Sequence, residues 1–181
     1  MHKSLYKKFY YISNFNKEHI EKIDKDICLI YRNYKEDLDI TNLKNFRIFC
    51  KNRGLKVFLA NNLKLAKSLS FDGVYLPSFN NERFRKENLK KNFVVLGSAH
   101  NIKEIKIKQK QFVDYIFVSP LFDTKDKKGL GVSKFSHLIH DKINNYIALG
   151  GIKNNNLNQL SQLNISGYAG ISFVESDINE K

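Results

Sequence analysis

The chain has 181 residues, of which 42% are hydrophobic and 13% aromatic, and its formal net charge is +13. This length and composition predict one globular domain over residues 1–181 with a sizeable core. No apolar run reaches the roughly 18 residues of a membrane span, and polar residues interrupt Met1 to Asn14 too often for a signal peptide. We therefore expect a cytoplasmic protein with no membrane contact.

The positive charge raises the question of nucleic-acid binding. Clustered basic side chains would neutralise phosphates and release counter-ions, but the lysines are spread along the whole chain and few basic residues are arginine. The sequence carries no RNP, KH, zinc-finger or helix-turn-helix signature. The pattern favours a solvated, lysine-rich surface that attracts anionic substrates over a nucleic-acid-binding face.

The two cysteines do not have the spacing of a metal or redox site. Cys28 lies in an apolar run and Cys50 in a segment with helical spacing. This placement predicts two buried free thiols rather than a disulfide.

Short apolar runs recur along the chain and predict eight strands. They lie at residues 8–12, 27–31, 56–60, 73–76, 94–97, 115–119, 146–149 and 168–172. Segments with helical spacing separate them, for example the one that contains Ile102, Ile105 and Phe112. Strands that alternate with helices imply a parallel sheet, and eight such units can close into a (β/α)8 TIM barrel. A doubly wound open sheet is the alternative.

The end of the chain leaves little room for an eighth helix. Only Val174 to Lys181 follows the last apolar run, so this helix is expected to be truncated or missing. The outer face of the last strand would then need another cover, either the N-terminal segment or a second subunit. A homodimer is therefore a hypothesis.

Three apolar runs in the second half break into loops that contain glycine. They are YIFVSPLFDTKDKKGLG (115–131), YIALGGI (146–152) and GYAGIS (167–172). Loops at the carboxyl ends of parallel strands build the ligand site, and backbone N–H groups beside glycine suit a phosphate. We expect a phosphorylated ligand there.

Six motifs in sequence resemble the thiamine-phosphate synthase and thiazole tautomerase family over nearly the whole chain. They are VFLANN, DGVYL, Ser98-Ala99-His100, VSPLFDT, Gly150-Gly151-Ile152 and Gly167 to Ser172. The resemblance implies a triose-isomerase-type barrel that joins a pyrimidine methyl pyrophosphate to a thiazole phosphate. The products would be thiamine phosphate and pyrophosphate.

The resemblance also implies roles for residues at the strand ends. In the family, pyrophosphate leaves first and the thiazole nitrogen attacks the resulting cation, which demands charge neutralisation and positioning. The catalytic candidates are Arg32, Lys35, Ser98 and Lys127. The substrate-binding candidates are Asn61, Asn62, Asn80, His100, Thr124 and Lys128. The phosphate-binding candidates are Gly150, Gly151, Ile171 and Ser172.

The chain departs from the family pattern at the metal site. The family's metal-holding aspartates fall at Asn62 and Asn80, and an amide oxygen lacks the charge that makes a carboxylate a good Mg²⁺ ligand. A Mg²⁺ cofactor would therefore be held mainly by the pyrophosphate. Asn61, the neighbour of Asn62, could as easily cap the next helix.

Two alternatives to a synthase remain open, a thiazole tautomerase-like enzyme and a catalytically impaired homologue that binds thiazole phosphate. Leu76 to Ser78 and Lys127 to Gly129 resemble the tautomerase branch. Pro120, however, stands where that branch has its catalytic histidine, so no imidazole is available there for proton transfer. The loss of both aspartates keeps the binding homologue open.

Overall fold

A closed parallel barrel forms the centre of the computed structural model, which describes residues 6–34, 38–83, 86–140 and 145–179. Its strands are β1 (Lys7–Ile12), β2 (Ile27–Tyr31), β3 (Val57–Ala60), β4 (Gly73–Leu76), β5 (Val94–Ala99), β6 (Tyr115–Val118), β7 (Tyr146–Leu149) and β8 (Gly167–Gly170). Each strand pairs in parallel with the next, and β8 pairs with β1. The predicted TIM barrel is confirmed, and the open sheet is wrong.

Helices connect most of the strands. They are α1 (Lys17–Glu21), α2 (Ile40–Asn52), α3 (Leu63–Ser68), α4 (Ile102–Lys110), α5 (Gly131–Leu138) and α6 (Ser172–Asn179), with 3₁₀ helices at Lys86–Asn88 and Asn154–Gln162. Side chains of Asn16, Asp39, Asn62 and Asn101 accept a hydrogen bond from the backbone N–H three residues on, and so fix where four helices begin. Within the described ranges, no helix has the length and apolarity needed to cross a bilayer.

The strands are buried on both faces, which explains why they are continuous apolar runs in the sequence. Successive side chains alternate between the barrel interior and the layer beneath the helices. On β1, for example, Phe9 and Tyr11 lie in the interior cluster, whereas Tyr10 and Ile12 belong to the outer one. Every strand contributes at least one residue to the interior cluster, which the barrel therefore packs as a core.

A short eighth helix covers the last strand. Helix α6 has eight residues and buries Phe173, Val174 and Ile178. The Phe173 ring packs edge to face on Tyr168 of β8, with 4.9 Å between the centroids. The truncated helix thus provides a cover that was expected from either the N-terminal segment or a second subunit. The homodimer stays a prediction.

The packing face of α4 differs from the predicted one. Of Ile102, Ile105 and Phe112, only Ile105 is buried; Ile102 is 44% exposed, and Phe112 is 65% exposed and lies beyond the end of the helix. The buried face continues instead through Lys108 and Gln111. The predicted helix is confirmed at Ile102–Lys110, whereas Phe112 falls outside it because the helix ends at Lys110 and the chain turns at Phe112, which has φ +52°.

Both cysteines are free thiols, as predicted. Cys50 is buried, whereas Cys28 is only partly buried. Burial raises the pKa of Cys50 to about 12 and that of Cys28 to about 11, so neither is a reactive thiolate at neutral pH.

Candidate active site at the carboxyl end of the barrel

The carboxyl ends of the strands form one end of the barrel, which is called the mouth below. Hydroxyl groups lie at its centre. The Tyr11 hydroxyl donates to the Tyr75 hydroxyl at 3.2 Å, and their rings meet edge to face. Buried Ser98 on β5 hydrogen-bonds to Tyr75 as well. Burial raises the pKa of both tyrosines, so their hydroxyls remain protonated and polar. Sequence reasoning selected Ser98 but missed the tyrosines, which sit within apolar runs.

Arg32 places a positive charge at this mouth. It follows β2 directly, and its backbone N–H donates to the Ile12 carbonyl at 2.7 Å. The guanidinium carbon lies 4.7 Å from the centroid of the Tyr11 ring. Among the described residues, no carboxylate is within ion-pair distance of Arg32, which is exposed. An exposed guanidinium in this position suits an anionic ligand.

An aromatic pair lies between the loops that follow β2 and β4. The rings of Tyr34 and Phe79 meet edge to face with 5.6 Å between centroids, and both side chains are exposed. The catalytic candidate Lys35, which follows Tyr34 in the chain, lies outside the described residues. Its role stays a prediction.

The three candidate asparagines divide into a helix cap and an amide pair. Asn62 accepts from the Leu65 N–H at 2.9 Å and so caps α3. Asn61 accepts from the Asn80 side-chain amide at 2.8 Å. Asn61 has φ +57°, whereas a helix cap needs an extended backbone, which explains why the cap falls on Asn62. The mouth therefore presents Asn61 with Asn80.

Asn80 is buried in a polar network that the sequence did not reveal. Its Oδ1 accepts from the Glu82 N–H at 3.1 Å and from Gln111 Nε2 at 3.2 Å. Its backbone carbonyl accepts from Lys108 Nζ at 2.7 Å. Lys108 lies in a lysine-rich helix, where a lysine is ordinarily expected to be exposed. Its position three residues after buried Ile105 was the only sequence signal of its burial.

These residues do not fit a Mg²⁺ ion held by the protein. The Oδ1 atoms of Asn62 and Asn80 already accept backbone or side-chain donors, and a buried ammonium lies beside the Asn80 carbonyl. In the described part of the chain, no group of three or more His, Cys, Asp or Glu side chains is arranged to hold a metal. Hard cations prefer charged oxygen ligands, which are missing from this pair.

His100 contacts the start of α4. Its Nδ1 lies 2.9 Å from Glu104 Oε2, and its backbone N–H donates to the same oxygen at 2.7 Å. Although partial burial opposes the shift, these bonds hold the pKa of Glu104 below its usual value. The structure thus ties His100 to the helix beside the mouth.

The loop after β6 forms a tight turn that exposes three lysines, among them the candidates Lys127 and Lys128. The backbone N–H of Thr124 donates to the Lys127 carbonyl at 2.8 Å, and the Lys127 N–H donates to Thr124 Oγ1 at 3.1 Å. Asp123 closes the turn by accepting from the Gly129 N–H. Lys127 and Lys128 are exposed. Thr124 therefore organises the loop that presents these charges.

The candidate phosphate residues follow two neighbouring strands, β7 and β8. Gly150 and Gly151 have φ +96° and +67°, which favour glycine. A Cβ on Gly151 would lie 2.5 Å from the Asp123 carbonyl oxygen, so the β6 loop approaches the turn closely. Ile171 follows β8 directly, and Ser172 begins α6. All four predicted residues therefore follow the carboxyl ends of two paired strands.

Comparison with known proteins agrees with this architecture. The family model described as thiamine monophosphate synthase matches residues 27–174. The chain belongs to the thiamine monophosphate synthase family. A thiamine-phosphate synthase from Lactococcus lactis subsp. lactis (strain IL1403) is 24% identical over 162 residues, which cover 87% of this chain and 74% of that protein. A putative thiamine-phosphate synthase 2 from Aquifex aeolicus (strain VF5) is 28% identical over 167 residues, covering 87% and 89%.

Solved structures support the fold of this family member. A thiamine phosphate pyrophosphorylase from Pyrococcus furiosus has a TM-score of 0.69, 17% sequence identity and coverage of 96% of each chain. As predicted, the chain is a thiamine-phosphate-synthase-like enzyme of thiamine biosynthesis, a family that uses phosphorylated substrates. The candidate residues fall into two groups: Arg32, Asn61, Asn80 and Ser98 follow or lie on β2 to β5, and the lysine and glycine loops follow β6 to β8.

Proposed function

We propose that this chain couples hydroxymethylpyrimidine pyrophosphate with thiazole phosphate to give thiamine phosphate and pyrophosphate. The carbon–oxygen bond to pyrophosphate breaks first, and the bonding electrons leave with the pyrophosphate. The thiazole ring nitrogen then supplies the electron pair of the new carbon–nitrogen bond. Membership of the family and the two-sided mouth support this assignment.

The observation that carries the proposal is Arg32 over the hydroxyl cluster. Negative charge grows on the departing pyrophosphate, so a preorganised cation lowers the barrier more than it strengthens substrate binding. Arg32 is fixed by its backbone bond to Ile12 and by the Tyr11 ring. In this proposal Lys35, Lys127 and Lys128 add charge, and Ser98 and Thr124 offer hydroxyls.

The glycine loops take the thiazole phosphate in this proposal. Gly150 and Gly151 supply a turn without side chains, and Ile171 and Ser172 lie beside it at the end of β8. Backbone N–H groups and the start of a helix favour a phosphate. Because β7 and β8 lie across the barrel from β3 and β4, the two substrates meet over the tyrosine hydroxyls.

Mg²⁺ belongs to this proposal as the counter-ion of the pyrophosphate substrate. The asparagines offer no charged ligand, so the oxygens of the pyrophosphate would hold the ion. Excess chelator should therefore suppress turnover without changing the stability of the protein. Full activity in chelator would refute the metal requirement.

Location follows from the reaction proposed. Both substrates are phosphorylated small molecules, and the reaction needs neither a membrane nor a nucleic acid. The free thiols of Cys28 and Cys50 agree with a reducing compartment. We therefore propose a cytoplasmic enzyme.

The direct test is to incubate the protein with both substrates and Mg²⁺ and to follow thiamine phosphate as its fluorescent oxidation product. Arg32→Ala should lower kcat by about 100-fold or more, whereas Arg32→Lys should retain part of the activity. Thiazole phosphate should bind both variants as tightly as it binds the unaltered protein. Unchanged kcat in Arg32→Ala would contradict the role of Arg32.

A binding homologue is the second candidate, because carboxamides replace both metal-site carboxylates and one of them is tied into a buried network. It predicts micromolar affinity for thiazole phosphate with no thiamine phosphate formed. Asn62→Asp and Asn80→Asp would then be the variants to assay for restored coupling.

A further inference from the structure

Lys108 on α4 is a fully buried lysine that none of the proposed chemistry uses. Its Nζ donates to the Pro77 carbonyl at 2.8 Å, the Asn80 carbonyl at 2.7 Å and Gln111 Oε1 at 3.0 Å. An ammonium has three N–H donors, so each has an acceptor. Among the described residues, no carboxylate forms an ion pair with it. Neutral oxygens therefore enclose this charge.

The barrel provides a passage for the lysine stem. A Cβ on Gly97 of β5 would lie 2.9 Å from Lys108 Cδ and 3.3 Å from its Cγ. Glycine at this position thus lets the stem cross the outside of the strand and reach beneath the loop that follows β4. This loop, residues 77–82, is called the β4 loop below.

Gln111 completes the contact between α4 and the β4 loop. Its Nε2 donates to the Glu82 carbonyl at 2.7 Å and lies 3.2 Å from both the carbonyl and the side-chain oxygen of Asn80. Asn80 in turn donates through Nδ2 to Asn61 at the mouth. A continuous set of hydrogen bonds therefore runs from the buried ammonium to the amide pair of the site.

Leaving a charge in the interior is unfavourable unless the polar groups around it are satisfied, and buried networks of this kind specify one geometry. An exposed loop that needed no fixed shape could dispense with such a group. The loop concerned is the one that presents Asn80 in place of the family's carboxylate.

We propose that the Lys108 ammonium acts as an internal cation that fixes the β4 loop and, through Asn80, orients Asn61 toward the substrate pyrophosphate. Lys108 is thus a positioning residue for one side of the mouth. The assignment of pyrophosphate to this side rests on the proposed function. The fixing of the loop does not.

The barrel geometry makes the proposal directional. Strands β4 and β8 lie on opposite sides of the closed barrel. Loosening the β4 loop should weaken binding of the pyrimidine pyrophosphate. Binding of the thiazole phosphate at Gly150, Gly151, Ile171 and Ser172 should not change. A general loss of stability would weaken the binding of both substrates.

The test compares Lys108→Met with Lys106→Met, a matched change at an exposed lysine of the same helix. Hydrogen exchange is measured at the backbone amides of Asn80 and Glu82, which donate within the β4 loop, and at β1 amides as a reference. Lys108→Met should speed exchange in the loop by about tenfold or more, as expected for the loss of a buried charged hydrogen-bond donor. Lys106→Met should not.

Kinetics then separate positioning from folding. Lys108→Met should raise KM for the pyrimidine pyrophosphate by about tenfold and leave the Kd of thiazole phosphate unchanged. Equal weakening of both ligands would overturn the positioning role, and unchanged loop exchange would overturn the proposal whatever the activity. If the unaltered protein makes no product while loop exchange still responds, the proposed function fails and the internal cation stands.

A second variant covers the case in which Lys108→Met does not fold. Gln111→Met removes the other half of the contact and leaves the ammonium in place. It should also speed exchange at Asn80 and Glu82 relative to β1. Exchange equal to that of the unaltered protein would refute the network.

Discussion

Replacing Gly151 with alanine adds a single methyl group where the β6 and β7 loops come closest. Gly151 has φ +67°, and a Cβ there would lie 2.5 Å from the Asp123 carbonyl oxygen and 2.7 Å from that of Phe122. Gly54 offers a matched control, because it has φ +76° but nothing within 4 Å of its Cβ position. The two substitutions share the backbone strain and differ in the collision.

The expected losses of stability follow from the backbone strain and from the steric collision. Alanine in the left-handed region costs about 1–2 kcal/mol, so Gly54→Ala should lower the free energy of unfolding by that amount. Gly151→Ala adds the displacement of loop backbone, about 1–3 kcal/mol for overpacking. At about 2–4 °C per kcal/mol for a chain of this size, Tm should fall by about 4 °C for Gly54→Ala and about 10 °C for Gly151→Ala.

Thermal unfolding followed by circular dichroism measures Tm, and calorimetric titration measures the affinity for thiazole phosphate. Gly54→Ala should bind as the unaltered protein does. Gly151→Ala should bind at least about tenfold more weakly, because the β6 loop must move away from the glycine turn. Equal Tm losses together with equal affinities would refute the argument that the close approach of these loops shapes a phosphate site.

Three further predictions concern stability and assembly. Burial lowers the pKa of Lys108 from 10.5 to about 8, so the unfolded chain binds more protons between these values and the contribution of Lys108 to stability rises with pH across that window. The raised pKa values of Cys28 and Cys50 make stability fall over part of the same window, so the readout is the difference between the two proteins. The free energy of unfolding in urea should increase more with pH in the unaltered protein than in Lys108→Met, and an identical pH dependence in both would contradict the shift. Tyr75→Phe removes the hydroxyl that Tyr11 and Ser98 contact and should cost about 1–3 kcal/mol by chemical denaturation, so an unchanged midpoint would contradict those bonds. Sedimentation should report twice the 21.2 kDa of one chain if the predicted homodimer forms, and a single-chain mass would remove that prediction.

Much of the fold is predictable from local features of the chain. Strands buried on both faces are continuous apolar runs, and glycine is favoured where the backbone turns left-handed, as at Gly150 and Gly151. Asparagine or aspartate after a strand caps the next helix, as Asn62 and Asn101 do. Those signals act over a few residues, which is why eight strands and the glycine loops could be located from the sequence.

Contacts between distant segments decided the rest. Tyr11 and Tyr75 are 64 residues apart in the chain, and their hydroxyls meet only because the barrel closes. Backbone conformation settled which of Asn61 and Asn62 faces the mouth, since a shift of one residue exchanges a helix cap for a site amide.

Lys108 shows the limit of the sequence most clearly. Its residue type and its lysine-rich neighbours indicate a solvated side chain. It is buried because Gly97 leaves space for its stem and because the loop after β4 brings two carbonyl oxygens to its ammonium. The sequence alone determined the eight strands and the glycine loops, whose signals are local. Only the tertiary structure closed the sheet into a barrel and supplied the oxygen atoms that allow a charge to lie inside.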